Sequence, residues 1–338
     1  MHTNYETMLF TTPVELPTGT LDISHRSTLL LIGSCFADNI GRMLQRNKFN
    51  IDTNPFGVQY NPMSIATVLA RIADGDLFTS GSPELFEHNG KWHSLLHHSD
   101  FSRDSKEELL ATINDRLAKA HNAVRELDTV IVTFGTAYVY TRTDDGLVVG
   151  NCHKLPGNMF SRSLLSIEQI TESTAAVMRH YIADNPKVKF MFTVSPIRHL
   201  RDGAHDNQLS KSTLLLAIEK LLRMFPGNAC YFPSYEIMMD ELRDYRYYAD
   251  DMLHPSAKAV EYIWECFAKC HFSKETQALC RRTADVARAL EHRPFDAASP
   301  GYRTFVEQTL DKIGSIAKEH PYIDFENEIR QCNTLLNR

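Results

Sequence analysis

The sequence predicts an α/β protein built on a parallel five-stranded sheet, and three observations lead to that expectation. Five short apolar, β-branched runs occur at residues 28–32, 49–52, 129–134, 189–194 and 229–232. Stretches with helical spacing, at 36–46, 64–73, 166–183 and 212–225, lie between them. Each run ends where small or polar residues begin. Such alternation reads as parallel strands with helices on both faces, because a parallel crossover must carry the chain back over the sheet.

The alternation is interrupted twice, at residues 74–127 and 140–160. The first interruption holds LFEHNGKWHS, where Asn89 and Gly90 fit a tight hairpin turn, and then a helical stretch at 106–124. The second holds YVYTRTDDGLVVGNCHK, a further hairpin around Asp145 and Gly146. Beyond Cys270 the chain reads as two amphipathic helices, 274–291 and 302–319, separated by HRPFDAASPG. The expected organisation is one domain over 1–270 and a helical extension over 271–338 packed on it. The apolar stripes of the extension are expected to make core contacts or a homo-oligomer surface.

Composition narrows the function. The 338 residues carry 36 Lys and Arg against 42 Asp and Glu, a net charge of -6, which gives no electrostatic footprint for nucleic acid or an anionic membrane. No apolar run approaches the ~20 residues that span a bilayer. The start, MHTNYETMLFTTPVEL, lacks the basic and apolar segments of a secretory leader. Seven scattered cysteines, an odd number, read as free thiols in a reducing compartment, so a cytoplasmic protein is expected.

Ligands of open α/β sheets bind outside the carboxyl ends of the strands, so the residues after each run matter most. After the first run stand Gly33, Ser34 and Cys35, followed by a helix. The helix dipole favours a thiolate at such a start. Cys35 is therefore a candidate nucleophile, with Ser34 as its competitor or as a helix cap. After the last run comes YYADDMLHPSAKAVEYIWECF, where Asp251 and His254 are three apart in a turn that enters a helix, with Pro255 suited to its first position. That spacing lets the Asp251 carboxylate orient one imidazole nitrogen while the other faces outward as a base.

Acyl transfer also needs donors for an oxyanion. Gly57 in NPFG and Gly135 in TFGTAYVY are glycines where backbone approaches a ligand, and Asn54, Asn61 and Thr136 offer side-chain donors. In GNCHKLPGNMF, Asn151, His153 and Lys154 are expected to contact substrate, with Lys154 against an anionic group. A zinc site from Cys152, His153 and His97 or His98 lacks any known ligand spacing, and neither metal nor cofactor is expected. In TVSPIRHLRDG, Arg198 is a candidate for a substrate carboxylate or phosphate. There His199 is an alternative base, with only Asp202 at an orienting spacing, and HHSDFS reads as a surface loop.

The motifs GSCFA, NPFG, FGTAYVY, NCHK, TVSPIRH and DDMLHPS, in this order, resemble the GSCFA domain family, within the SGNH (GDSL-type) hydrolase superfamily. The resemblance implies a three-layer α/β/α flavodoxin-like fold and ester-hydrolase or acyltransferase chemistry. It puts Cys35 at the nucleophile position, Ser34 at the preceding one, and Asp251 and His254 at the orienter and base. The superfamily's Gly-x-Asn block is absent, since Gly135 is followed by Thr136 and Ala137. The expected activity is hydrolysis or transfer of an ester of a small hydrophilic molecule, such as an acylated sugar, with Cys35 N–H and Gly57 N–H on the oxyanion. The alternative is a non-catalytic carbohydrate-binding or scaffold protein that keeps the fold, favoured by the missing asparagine.

Overall fold

The computed structural model describes residues 11–17, 19, 21–296 and 299–337. The first ten residues, part of the stretch read as no leader, and two positions of the linker at 292–301 lie outside them.

In chain order, β1 (Thr28–Gly33), α1 (Cys35–Arg46), β2 (Asn50–Thr53) and α2 (Pro62–Asp74) come first. The first insertion is β3 (Leu85–His88), β4 (Lys91–Ser94) and α3 (Lys106–Ala123). After β5 (Thr129–Phe134), the second insertion is β6 (Tyr138–Arg142), β7 (Val148–Val149) and β8 (Phe160–Leu164). Then follow α4 (Ile167–Asp184), β9 (Lys189–Val194), α5 (Gly203–Met224), β10 (Ala229–Tyr231), a single turn α6 (Ser234–Glu236) and α7 (Ala257–His271). The tail forms α8 (Lys274–Glu291), α9 (Pro300–Glu319) and α10 (Glu326–Leu336).

The central sheet runs β10-β9-β5-β1-β2, parallel throughout, which is the flavodoxin order. Alternate strand residues face opposite sides, and the burial follows that period. Leu30, Ile32, Val130, Val132, Phe190 and Phe192 pack with α2–α5, whereas Leu29, Leu31, Ile131 and Met191 pack with α1 and α7. The three expected layers result, each fully buried Leu, Ile or Phe contributing about 1.5–3 kcal/mol. Strand order reverses between β1 and β5, so a crevice opens at their carboxyl ends.

Four sequence expectations are adjusted. Helix α5 begins at Gly203 rather than at 212, because its first turns bury Asn207, Ser210 and Lys211, polar residues that hide the stripe. Strand β8 was not expected: it is an edge strand, paired only to β6, with four of its five residues exposed. Pro255 precedes the helix instead of opening it; Ser256 caps α7, accepting from Ala259 N–H. The tail has a third helix, α10, which closes on α8 and α9 around Leu279, Val286, Ile313 and Cys332. This unit is held to the core by Lys48 on Glu328 at 3.0 Å and by Thr283 donating to the Asn47 carbonyl. The Asn89-Gly90 turn has both φ angles positive, 52° and 72°, as a two-residue hairpin requires.

Candidate active site

Gly33 ends β1 with φ 149°, and a Cβ there would stand 2.3 Å from the Thr133 carbonyl oxygen of β5. Only glycine fits, and the close approach aims the next residues into the crevice. Ser34 is 1 % exposed, and its Oγ neither caps α1 nor finds any other partner. Cys35, at the first position of α1, is half-buried, and its Sγ lies 3.2 Å from the Tyr60 hydroxyl. Burial and the thiol push the Tyr60 phenol up, which keeps its proton in place. The N–H groups of Cys35 and Phe36 make no hydrogen bond among the described residues, as the first turn of a helix leaves them free.

Asp251 and His254 pair as their spacing predicts. Asp251 Oδ2 lies 2.5 Å from His254 Nδ1, and Oδ1 accepts the N–H groups of Leu253 and His254, both at 2.9 Å. The His254 amide first, then that of Leu253 and the ring, hold the Asp251 carboxyl down at about 2. His254 Nε2 makes no hydrogen bond among the described residues, and the side chain is half exposed. The loop is pinned from both sides, with Ala249 N–H on the His254 carbonyl and Ser256 N–H on that of Tyr247. No hydrogen bond joins the imidazole to Sγ.

Of the oxyanion donors expected from the sequence, the Cys35 N–H is free, whereas the others are engaged within the fold. Gly57 N–H donates to the Asn54 carbonyl at 2.7 Å. Asn54 bridges the site's frame, accepting from Gly33 N–H and donating to Asp38. Asn61 caps α2 through Ser64. The N–H groups of Gly135 and Thr136 both go to the Tyr60 carbonyl, and Thr136 Oγ1 pairs with Ser210 and accepts from Tyr138 N–H.

The NCHK loop is a clasp between the insertions. His153 is buried, with φ 47°; its Nε2 lies 2.8 Å from the Ser94 carbonyl and its Nδ1 3.4 Å from Ser99 Oγ, to which Asn151 also donates. Those contacts occupy His153 and Asn151, whereas Lys154 is exposed and makes no ion pair among the described residues. Among the described residues no three His, Cys, Asp or Glu side chains converge as a metal would require.

After β9, the Arg198 guanidinium donates, among the described residues, only to the Met239 sulfur, at 3.1 and 3.3 Å, a weak acceptor for a cation. Asp202 pairs with Arg162, which leaves His199 without an orienting carboxylate and removes the case for it as the base. Lys211, invisible in the sequence because it interrupts an apolar stripe, is 1 % exposed. It donates to the Gly135 carbonyl at 2.7 Å and to that of Ser195 at 2.8 Å, tying the ends of β5 and β9 together. Burial first, and then Arg198, bring its amine down to about 7. His199 Nε2 is buried without a partner, a state that costs about 1–3 kcal/mol. Sequence reasoning missed Tyr60 and Lys211, and it weighed His199 only as a base.

Fold and site together define an α/β/α sandwich in which Ser34 Oγ and His199 Nε2, both buried without partners, stand beside Gly135 at the end of β5. The chain belongs to the GSCFA family: the family's model matches residues 28–267, and that of the GSCFA domain protein, C-terminal domain, matches 283–338. No curated protein matches the sequence. Among solved structures, the chain is similar to a carbohydrate esterase family 2 enzyme with its carbohydrate binding domain, from Corynascus thermopiles (Myceliophthora fergusii). The identity is 15 %, over 76 % of this chain and 67 % of that one, with a TM-score of 0.36. Among the described residues no helix is long and apolar enough to cross a membrane.

Proposed function

We propose that the protein is an SGNH-type acyl hydrolase or acyltransferase acting on an ester of a small hydrophilic alcohol, with Cys35 as nucleophile, His254 as base and Asp251 as orienter. The observation that supports this most is the Asp251–His254 pair, 2.5 Å apart with Nε2 free, in the loop after the last strand of a sheet whose first strand presents Cys35. In the reaction, His254 Nε2 takes the thiol proton as Sγ bonds to the ester carbonyl carbon. The carbonyl oxygen becomes an oxyanion, which the Cys35 and Phe36 amides receive. Collapse breaks the bond to the alcohol oxygen, and the imidazolium returns the proton to it. Water or a second alcohol then attacks the thioester with His254 as base, and the thiol is regenerated.

Cys35 is preferred to Ser34 because the serine is buried to 1 % exposure while the thiol reaches the crevice. A hydrophilic substrate suits polar surroundings: the charge of Arg162, stacked on Tyr138, acts on His199, and Arg198 stands one residue before it. The test is turnover of a panel of acetyl esters by wild type, Cys35→Ala and Ser34→Ala. Loss of turnover in Cys35→Ala alone is expected. Loss in Ser34→Ala alone would move the nucleophile by one residue, and turnover by none of the proteins would favour the scaffold reading.

A further inference from the structure

Two buried polar atoms without partners flank Gly135: Ser34 Oγ and His199 Nε2. A Cβ placed on Gly135 would meet the Tyr60 carbonyl oxygen at 3.0 Å, Ser34 Cβ at 3.4 Å and His199 Nε2 at 3.5 Å, so Ser34, Tyr60 and His199 converge on the end of β5. Other unpaired imidazole nitrogens sit differently. His97 is enclosed by Phe56, Phe78 and Phe101, and His271 by Phe232 and Phe267. His199 instead meets the edge of Tyr60, whose hydroxyl holds Cys35. Its backbone is fixed, with its N–H on Asn207 Oδ1 at 2.9 Å.

We propose that His199 is a further catalytic residue: its Nε2–H donates a hydrogen bond to the carbonyl oxygen of the bound ester, alongside the amides that open α1. The proposal rests on the acyl-transfer reading above. It supplies the side-chain donor that Thr136 and Ala137 do not offer after Gly135. Donation requires a neutral ring with its proton on Nε2. Burial first, then the charges of Lys211 and His254, bring His199 down to about 4, and the Gly135 carbonyl favours a proton on the ring. The ring is therefore neutral at pH 7 and cannot serve as a cationic clamp. Lys211 contributes indirectly, as the group that fixes the Gly135 and Ser195 carbonyls on either side.

The experiment compares two reactions of Cys35 at pH 7, acylation by 4-nitrophenyl acetate and alkylation by iodoacetamide, both followed by intact mass. Acylation passes through an oxyanion, whereas alkylation is a displacement at carbon and forms none. His199→Phe should slow acylation about 100- to 1000-fold, the range for loss of one such donor. His199→Gln keeps an amide donor and should stay within about tenfold of wild type. Both variants should be alkylated within about threefold of the wild-type rate, which also reports an intact Cys35 environment. An equal fall in both reactions would make His199 an activator of the thiol and overturn the proposal, as would unchanged acylation in His199→Phe. A wild-type protein that is not acylated at Cys35 would overturn the catalytic reading itself, and this proposal with it.

Discussion

The Tyr60 hydroxyl lies 3.2 Å from the Cys35 sulfur, and its ring stands edge-on to His199, with the ring planes at 88°. A protonated phenol in that place donates to a thiolate, and among the described residues it is the one side chain bonded to Sγ. Tyr60→Phe keeps the ring and removes the donor. Iodoacetamide alkylation of Cys35 at pH 7 should slow about 3- to 10-fold, as loss of a hydrogen bond to a charged group implies. An unchanged rate would show that the hydroxyl only accepts from the thiol.

Asp251 holds the proton of His254 on Nδ1. Asp251→Asn preserves the size of the side chain but can present an amide N–H to that nitrogen, which selects the wrong tautomer. Ester turnover should fall about 100- to 10 000-fold in kcat with KM little changed. The side chain is half exposed, so stability to unfolding should change little. A fall in stability without a fall in kcat would reduce the pair to a loop fastening.

Arg198 meets a sulfur where a guanidinium ordinarily meets a carboxylate. An anionic group on the substrate would replace a weak acceptor with a strong one. Arg198→Gln should raise KM about tenfold for esters bearing a carboxylate and leave neutral esters within about twofold. Equal effects on both classes would instead make Arg198 a support for the turn at Met239.

Acid should weaken the fold well above the ordinary carboxylate range. Burial lowers His25 and His271 to about 4 and His97 to about 3, from 6.5. Their folded values lie below the unfolded ones, so the unfolded chain takes up protons first as pH falls. Stability is full above pH 6.5 and declines as pH drops from there toward 4, each ring adding up to one proton to the slope. The urea midpoint measured from pH 8 to pH 4.5 should drop throughout the lower part of that range. A flat profile would mean that these rings take up protons without unfolding.

The sheet was legible because its strands are apolar runs of uniform character: residues 129–134 and 189–194 match β5 and β9 residue for residue. The Asp251–His254 pair was equally legible, being local in sequence. What escaped was whatever depends on partners distant in the chain. Strand β8 shows no apolar alternation because both of its faces are exposed beyond Phe160. The donors assigned to Asn54, Gly57, Gly135 and Thr136 were chemically apt, yet each already serves a bond with Gly33, Asp38, Asn54, Tyr60 or Ser210 that only the folded chain reveals. Tyr60 and Lys211 carry no motif, and His199 closes one that suggested a base; they meet because β2, β5 and β9 bring the segments that follow them together.

The His153 clasp gives the two insertions a joint fate. Its ring reaches Ser94 and Ser99 in the first insertion while its own backbone belongs to the second. Neither segment can be transplanted alone into another member of the family without leaving half of that fastening behind. Chimaeras that exchange both together keep the fastening intact, so the two insertions travel between scaffolds as a matched pair.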